Sequence, residues 1–207
     1  MKKCVIFCAG EFKEPQDVLG PEDLVIAADG GLVHAEAVNM VPDVILGDFD
    51  SLGYVPEGAE VHPVEKDDTD CMLAIKKGFA MGYTDFLIYG GMDGKRVDHT
   101  VANFQALDYI ARQGGRGMLV GRRQIATVIR NGSIQFPPYF IAYLSVFCMG
   151  ADAKGVTIKG MQYEMEDGTL SAGLPMGVSN RFIQKKARIS VRDGSLLLIW
   201  KQGNGVL

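Results

Sequence analysis

Acidic side chains recur in this chain at the ends of apolar runs. Asp29 follows Leu24–Ala28, Asp48 and Asp50 follow Val44–Leu46, and Asp93 closes the Gly90-Gly91 turn after Asp85–Tyr89. A fourth position, Asp70, opens an amphipathic stretch. The run Val44-Ile45-Leu46, bounded by Pro42 and Gly47, reads as a short, fully buried strand. Its acids therefore stand at the carboxyl edge of a sheet, where open α/β sheets bind ligands. Asp48 and Asp50, at i and i+2, point to one side if the backbone stays extended. Two like charges that close need a hard cation or full hydration to offset them. Gly30, Gly31, Gly90 and Gly91 permit positive φ and a close approach of ligand to backbone N–H groups. Carboxylates beside such turns repel a phosphate unless a cation bridges them. Mg2+ does so, taking one or a few carboxylates and completing its octahedron with phosphate oxygens and water. The pattern thus reads as a metal-dependent nucleotide site. For one Asp-Gly pair, turn propensity is explanation enough; four clusters in register with strand ends need more.

Two helix starts add candidates. Asp67, Asp68 and Asp70 precede an apolar helix, where capping and the macrodipole favour acids. That accounts for Asp67 and Asp68 as caps or solvated residues, and leaves Asp70 in the first turn facing the sheet edge. Lys95 and Arg96 precede the longest helix and suit phosphate oxygens, Arg in bidentate fashion. Asp98 reads either as an N-terminal cap or as a site residue. His99 reads as a half-buried, hydrogen-bonded histidine ahead of a proton carrier, and Asn103, one turn on, faces the same cleft. There is no GxxxxGK[ST] and no GxGxxG, which argues against a P-loop kinase and a nicotinamide enzyme. No serine or cysteine has the setting of an activated nucleophile.

The elements that must position these groups follow from periodicity. Expected strands are Cys4–Ala9, Leu24–Ala28, Val44–Leu46, Ala59–Val64, Asp85–Tyr89 and Gly117–Val120. Expected helices are Leu32–Met40, Asp70 to about Met81, and Arg96–Gln113 with Val101, Phe104, Leu107 and Ile110 on one side. This alternation predicts an α/β fold with a mostly parallel N-terminal sheet and helices on both faces. From Gln124 onward the pattern changes to short alternating runs: Ile125–Arg130, Tyr143–Phe147, Val156–Ile158, Ala187–Val191 and Leu196–Trp200. Hairpin signals at Asn131-Gly132, Asp167-Gly168 and Asp193-Gly194 separate them. A C-terminal all-β sandwich or barrel is expected, with Trp200 in its core. The boundary falls near Arg122, giving units 1–122 and 123–207 joined by a short linker.

Composition sets the outer limits. The chain has 207 residues, a formal net charge of −4, 47% hydrophobic and 22% charged residues. That is ordinary for a soluble core. With no basic block, nucleic acid is not an expected partner, and no apolar run approaches the roughly 20 residues of a membrane span. The opening run Cys4–Ala9 ends at Gly10, and Glu11, Lys13 and Glu14 follow, so it reads as a strand rather than a signal peptide. Cys4, Cys8, Cys71 and Cys148 form no CxxC pair and read as core thiols in a reducing cytoplasm. Scattered His34, His62 and His99 argue against a zinc site.

Taken together, Ala28-Asp29-Gly30-Gly31, Gly47-Asp48-Phe49-Asp50-Ser51, Asp67-Asp68-Thr69-Asp70 and Arg96-Val97-Asp98-His99-Thr100-Val101-Ala102-Asn103 resemble, in order and spacing, the thiamine pyrophosphokinase family. Gly177-Val178-Ser179-Asn180 extends the resemblance to the C-terminal half. The single pieces are not specific; the combination is. The resemblance implies an α/β nucleotide-binding domain, a C-terminal β-sandwich, and a homodimer with thiamine bound between subunits. It implies Mg2+-dependent transfer of the pyrophosphoryl group of ATP to the thiamine hydroxyl, giving thiamine diphosphate and AMP. Metal ligands would fall on Asp29, Asp48, Asp50 and Asp70, with Asp98 or Asp70 taking the hydroxyl proton. Asp29, Gly30, Gly31, Gly90, Gly91, Arg96, His99 and Asn103 would line the nucleotide site. Ser179 and Asn180 would contact thiamine, and Tyr163 would be the stacking aromatic, at a place where some relatives have Trp. Rival readings are a pyrophosphokinase for another alcohol such as a hydroxymethylpterin, a non-catalytic nucleotide sensor, and a structural β-sandwich partner protein.

Overall fold

The computed structural model describes residues 2–12 and 19–201; Lys13 and Glu14 lie outside the described residues. The N-terminal half runs β1 (Cys4–Phe7), β2 (Leu24–Ala28), α1 (Gly31–Ala37), β3 (Val44–Gly47), β4 (Glu60–Val61), α2 (Asp70–Ala80), β5 (Asp85–Tyr89), α3 (Val97–Arg112) and β6 (Arg116–Val120). These six strands pair in parallel, in the order β6-β5-β1-β2-β3-β4. Every residue of β1 and β2 is buried, as expected for strands that are covered on both faces. The period of two divides their side chains between two cores. Cys4, Ile6, Leu24, Ile26, Phe86 and Ile88 pack with Ala74 and Ile75 of α2 and with Leu107 and Ile110 of α3. Val5, Phe7, Val25, Leu87 and Tyr89 pack with Ala35 of α1.

The C-terminal half is all β: β7 (Gln124–Arg130), β8 (Ser133–Phe136), β9 (Tyr143–Cys148), β10 (Ala153–Lys159), β11 (Met165–Leu170), β12 (Gly177–Arg181), β13 (Ala187–Ser190) and β14 (Ser195–Lys201). It is a sandwich, but one of its sheets continues the parallel sheet. Gly121 N–H donates to the Gln124 carbonyl (2.9 Å), closing a tight turn. β7 then returns antiparallel to β6 with Met118 opposite Thr127. Strands β14, β9 and β12 follow, completing a ten-stranded sheet in the order β12-β9-β14-β7-β6-β5-β1-β2-β3-β4. Thr127 Oγ1 adds a 2.6 Å hydrogen bond to the Gly117 carbonyl across the junction. A second sheet, β11-β10-β13-β8, covers the antiparallel end. Phe136, Trp200, Phe182 and Phe140 fill the space between them. Phe136 meets each of the other three rings, with centroids 5.0–5.4 Å apart.

Several expected boundaries move. The first strand stops at Phe7 rather than Ala9. The first helix ends at Ala37, short of Met40, because Asn39 turns left-handed (φ 57°). The strand expected over 59–64 shrinks to Glu60–Val61, with Pro63 just beyond. Val101, expected on the apolar side of α3, is 52% exposed. Trp200 is buried as expected. No helix among the described residues is long and apolar enough to cross a membrane.

Phe136 is the hub of the sandwich core, so Phe136→Ala is expected to cost about 3–5 kcal/mol. Urea unfolding followed by the fluorescence of Trp200, the single tryptophan, measures this; a loss below about 1 kcal/mol would show that the aromatic cluster is not the stabilising unit.

Candidate active site

Strands β2 and β3 are neighbours in register, Ala28 opposite Leu46, so their exits lie side by side. Asp29, Asp48 and Asp50 each offer a carboxylate oxygen there, all within 4.8 Å of one another. The convergence is not that of an extended strand. Phe49, between the two acids, has φ 60° and is 2% exposed; Asp29 has φ 48°. A left-handed, buried phenylalanine is a marked outlier, and outliers of this kind persist where surrounding structure holds them. A turn, then, brings Asp48 and Asp50 to Asp29. Asp29 N–H donates to the Leu46 carbonyl (2.8 Å), and Ser51 Oγ donates to Asp29 Oδ2 (2.5 Å). Asp50 N–H reaches Asp48 Oδ1 at 3.3 Å.

Asp70 enters from α2. Thr69, not Asp67 or Asp68, caps that helix: its Oγ1 accepts from Met72 N–H (3.2 Å). Asp68 instead pairs with Lys76. Lys66 joins the two groups of acids. Its Nζ lies 2.6 Å from Asp48 Oδ2 and 3.1 Å from Asp70 Oδ1, the second contact without hydrogen-bond alignment. The Lys66 hydrogen bond holds the Asp48 carboxyl below the usual carboxylate range. Burial pushes Asp70 up, with Asp48 and Asp29 adding to the rise and Lys66 opposing it. Asp29 Oδ1 and Asp70 Oδ1 are buried without a hydrogen-bond partner. Unsatisfied, crowded, hard oxygen donors of net negative charge fit a small divalent cation such as Mg2+.

At the glycine-rich exits the glycines make room for the chain's own backbone, and of Gly30, Gly31, Gly90 and Gly91 only Gly90 has positive φ. Gly31 opens α1 against β1, where a Cβ would come 1.9 Å from the Phe7 carbonyl. Gly90 has φ 69°, and a Cβ there would lie 2.3 Å from the Cys8 carbonyl. Gly30 flanks α1, and Gly91 is buried. Asn103 is buried and donates to the Gly91 carbonyl (2.8 Å), so its amide braces the β5 exit instead of lining an open cleft. Asp93 turns away to accept from Arg122 N–H (2.6 Å). Arg96 and Asp98 form an exposed 2.7 Å ion pair at the start of α3. Arg96 holds the Asp98 carboxyl below its ordinary range, and Asp98 is not the helix cap. His99 is exposed, not half-buried as its sequence context suggested, and every residue from Asp93 to His99 is exposed with it.

The third group sits elsewhere. Asn180 is buried; its Oδ1 accepts from Tyr163 N–H (3.0 Å) and Arg181 N–H (2.8 Å), and its Nδ2 donates to the Tyr163 carbonyl (2.7 Å). It therefore clamps the backbone that presents Tyr163, whose side chain is 65% exposed. Ser179 is left-handed (φ 60°) and its N–H donates to Ser145 Oγ (3.1 Å). β12, which carries both residues, is eight strand steps from β3, roughly 40 Å along the sheet at about 4.8 Å per step.

The chain's residues 16–116 match the model of "Thiamin pyrophosphokinase, catalytic domain", and 132–196 match "Thiamin pyrophosphokinase, vitamin B1 binding domain". The chain belongs to the thiamine pyrophosphokinase family. It is thus a member of a family of enzymes, and membership supports formation of thiamine diphosphate from ATP. The thiamine pyrophosphokinase of Bacillus subtilis is 26% identical over 218 residues, spanning 96% of this chain and 98% of that protein. A crystal structure of the Bacillus subtilis enzyme superposes with a TM-score of 0.81 at 22% identity, covering 98% and 99% of the two chains. The Enterococcus faecalis thiamin pyrophosphokinase family protein gives 0.77 at 24% identity over 99% and 100%. The yeast enzyme gives 0.74 at 16% over 97% and 86%. The fold of the thiamine pyrophosphokinases is thus retained at low identity. Asp29, Asp48, Asp50 and Asp70 all fall within the catalytic match, and Tyr163, Ser179 and Asn180 within the vitamin B1 match.

Sequence reasoning gave Lys66 and Ser51 no role. The signal for Lys66 was its i,i+4 spacing to Asp70 combined with the need for a cation among so many carboxylates.

Because Asp48 has a depressed folded-state pKa, its pairing stabilises the metal-free protein above the unfolded carboxylate pKa of about 3.9 and is lost as pH falls through and below it. With chelator present, the stability of wild type relative to Asp48→Asn is expected to decline as pH drops from about 5 toward 3 in urea titrations. A pH-independent difference would show that Lys66 does not hold this carboxylate in solution.

Proposed function

We propose that the protein transfers the pyrophosphoryl group of ATP to the hydroxyl of thiamine, giving thiamine diphosphate and AMP. The carrying observation is the convergence of Asp29, Asp48 and Asp50 at adjacent strand exits, with Asp70 tied in through Lys66. Asp29, Asp48, Asp50 and Asp70 would hold Mg2+, which supplies neutralisation of polyphosphate charge when bound. The thiamine hydroxyl oxygen attacks the β-phosphorus in line and Asp70 or Asp98 takes its proton; the bond from that phosphorus to the α–β bridging oxygen breaks, and AMP leaves with the electron pair. Transfer of this kind depends on positioning and electrostatics more than on a protein nucleophile, which suits a site rich in carboxylates and strand-end glycines. Arg96, oriented by Asp98, and the backbone at Gly30, Gly31, Gly90 and Gly91 would receive the nucleotide, with His99 at the rim and Asn103 bracing Gly91.

In this reading residues 1–122 form the nucleotide-binding unit, with α1 covering the sheet face opposite α2 and α3, and residues 123–207 bind thiamine and dimerise. Tyr163 would stack on the pyrimidine, held by Asn180, with Ser179 beside it. The vitamin B1 match over 132–196 favours thiamine over a pterin alcohol. The separation of β12 from β3 supports a homodimer with the substrate between subunits, since one chain's two half-sites are too far apart to share a molecule of this size. Tyr139, Ile141, Tyr143, Val178 and Ile183 are exposed apolar residues on and beside β9 and β12, where a second copy would dock. The four free cysteines suit a reducing, cytoplasmic setting.

Incubation with ATP, Mg2+ and thiamine should yield thiamine diphosphate and AMP by mass spectrometry, and Asp48→Asn or Asp50→Asn should abolish this while the fold survives by circular dichroism. Wild-type-like AMP release from either variant sinks the metal role. For the shared site, mixing inactive Asp48→Asn with inactive Tyr163→Ala should restore about a quarter of wild-type activity, because half the randomly formed twofold dimers then hold one intact site of two. No recovery on mixing, with subunit exchange verified, would place both half-sites in one chain.

A further inference from the structure

We propose that Lys66 is the resident counter-ion of the acid site: its ammonium bridges Asp48 and Asp70 when no divalent cation is present, and cation entry displaces it. The inference rests on the metal reading above and deepens it. Lys66 lies in the irregular segment between β4 and α2. Its side chain is only 13% exposed, and its Nζ touches one oxygen of each acid, at 2.6 and 3.1 Å. Asp48 belongs to the set of acids whose oxygens converge within 4.8 Å, and Asp70 completes that set in the reading proposed above. An ammonium and a dication cannot share that space, because like charges a few ångströms apart in a half-buried site repel strongly. A lysine suits the task, being a compact point charge on a flexible stem that can swing out. An arginine fork would bind a carboxylate bidentately and be harder to displace. The remaining acids, Asp29 and Asp50, make no contact with Lys66 in this arrangement. Residual negative charge therefore persists beside the ammonium to attract the incoming cation. Once displaced, Lys66 stays cationic at the rim, on the side where the polyphosphate arrives. The nucleotide-free protein should consequently bind divalent ions weakly, and metal should load together with nucleotide.

The probe is Mn2+ alone, titrated into nucleotide-free, chelator-stripped protein and followed by the free-ion electron paramagnetic resonance signal. Lys66→Met should bind Mn2+ about tenfold or more tightly than wild type, since a nearby opposite charge shifts a carboxylate's affinity for a proton by roughly one to three decades. Lys66→Arg should not gain affinity. Stripped Lys66→Met should melt below stripped wild type and recover more on adding Mn2+. If Lys66→Met does not fold, Lys66→Gln carries the same expectation. Equal or weaker Mn2+ binding by a folded, uncharged variant overturns the inference. Asp50→Asn, which leaves Lys66 and its partners in place, separates the two claims. If Asp50→Asn loses Mn2+ while Lys66→Met is unchanged, only the counter-ion role falls. If wild type, Lys66→Met and Lys66→Gln all fail to bind Mn2+ even with saturating ATP, the metal reading falls and takes this inference with it.

Discussion

Mutual repulsion among carboxylates is the constraint around which this molecule is built. Four acids are brought to the ends of β2 and β3 and the start of α2, and nothing in the hydrophobic core offsets their charge. The fold answers locally. Ser51 occupies one oxygen of Asp29, backbone N–H of Asp50 reaches Asp48, and Lys66 stands between Asp48 and Asp70. These contacts leave Asp29 Oδ1 and Asp70 Oδ1 buried without a hydrogen bond, the second with only the Lys66 ion pair, an arrangement that costs stability in the free protein. Such a deficit is tolerable where a ligand that binds only the folded state restores the balance.

The sheet sets the second constraint. Continuity from β4 to β12 through antiparallel β6–β7 pairing makes the parallel and all-β halves one backbone-bonded layer. The halves cannot hinge freely about residue 122, since doing so would break ladder hydrogen bonds. In the reading proposed above, the acid site would meet Tyr163 and Asn180 through assembly rather than through closure within a chain. Rigidity of this kind holds Asp29, Asp48 and Asp50 at their strand exits, where small shifts are resisted.

What could be read from the sequence divides along the same physical lines. Buried parallel strands were legible because β1, β2 and β5 are unbroken apolar runs, and Asp85–Tyr89 matched to the residue. Asp29, Asp48 and Asp50 were legible as a set because each follows such a run. Strands β8, β11 and β12 were not: Met165–Leu170 and Gly177–Arg181 carry Glu, Asp, Gly, Ser and Asn and lie at sheet edges, where packing asks for no alternation. Nor could the sequence reveal that the sandwich shares the N-terminal sheet, since strand order is a long-range property. His99 misled for a related reason. The α3 pattern reports which face is buried deeper in the helix, and says nothing of how exposed its first turn is.

Phe49 links stability to the site most directly. Holding a bulky residue at φ 60° costs on the order of 1–3 kcal/mol, and burying its ring returns a similar amount, about 1.5–3 kcal/mol. The near cancellation explains why an aromatic rather than a glycine stands between the two acids. Glycine would adopt the turn freely, but would leave Asp48 and Asp50 on a segment with nothing to anchor it, and their mutual repulsion would open it. A buried ring fixes the strained turn from beneath, so the acids above it stay convergent although electrostatics drives them apart. The core thus supplies, through one side chain, the restraint that the charged surface lacks.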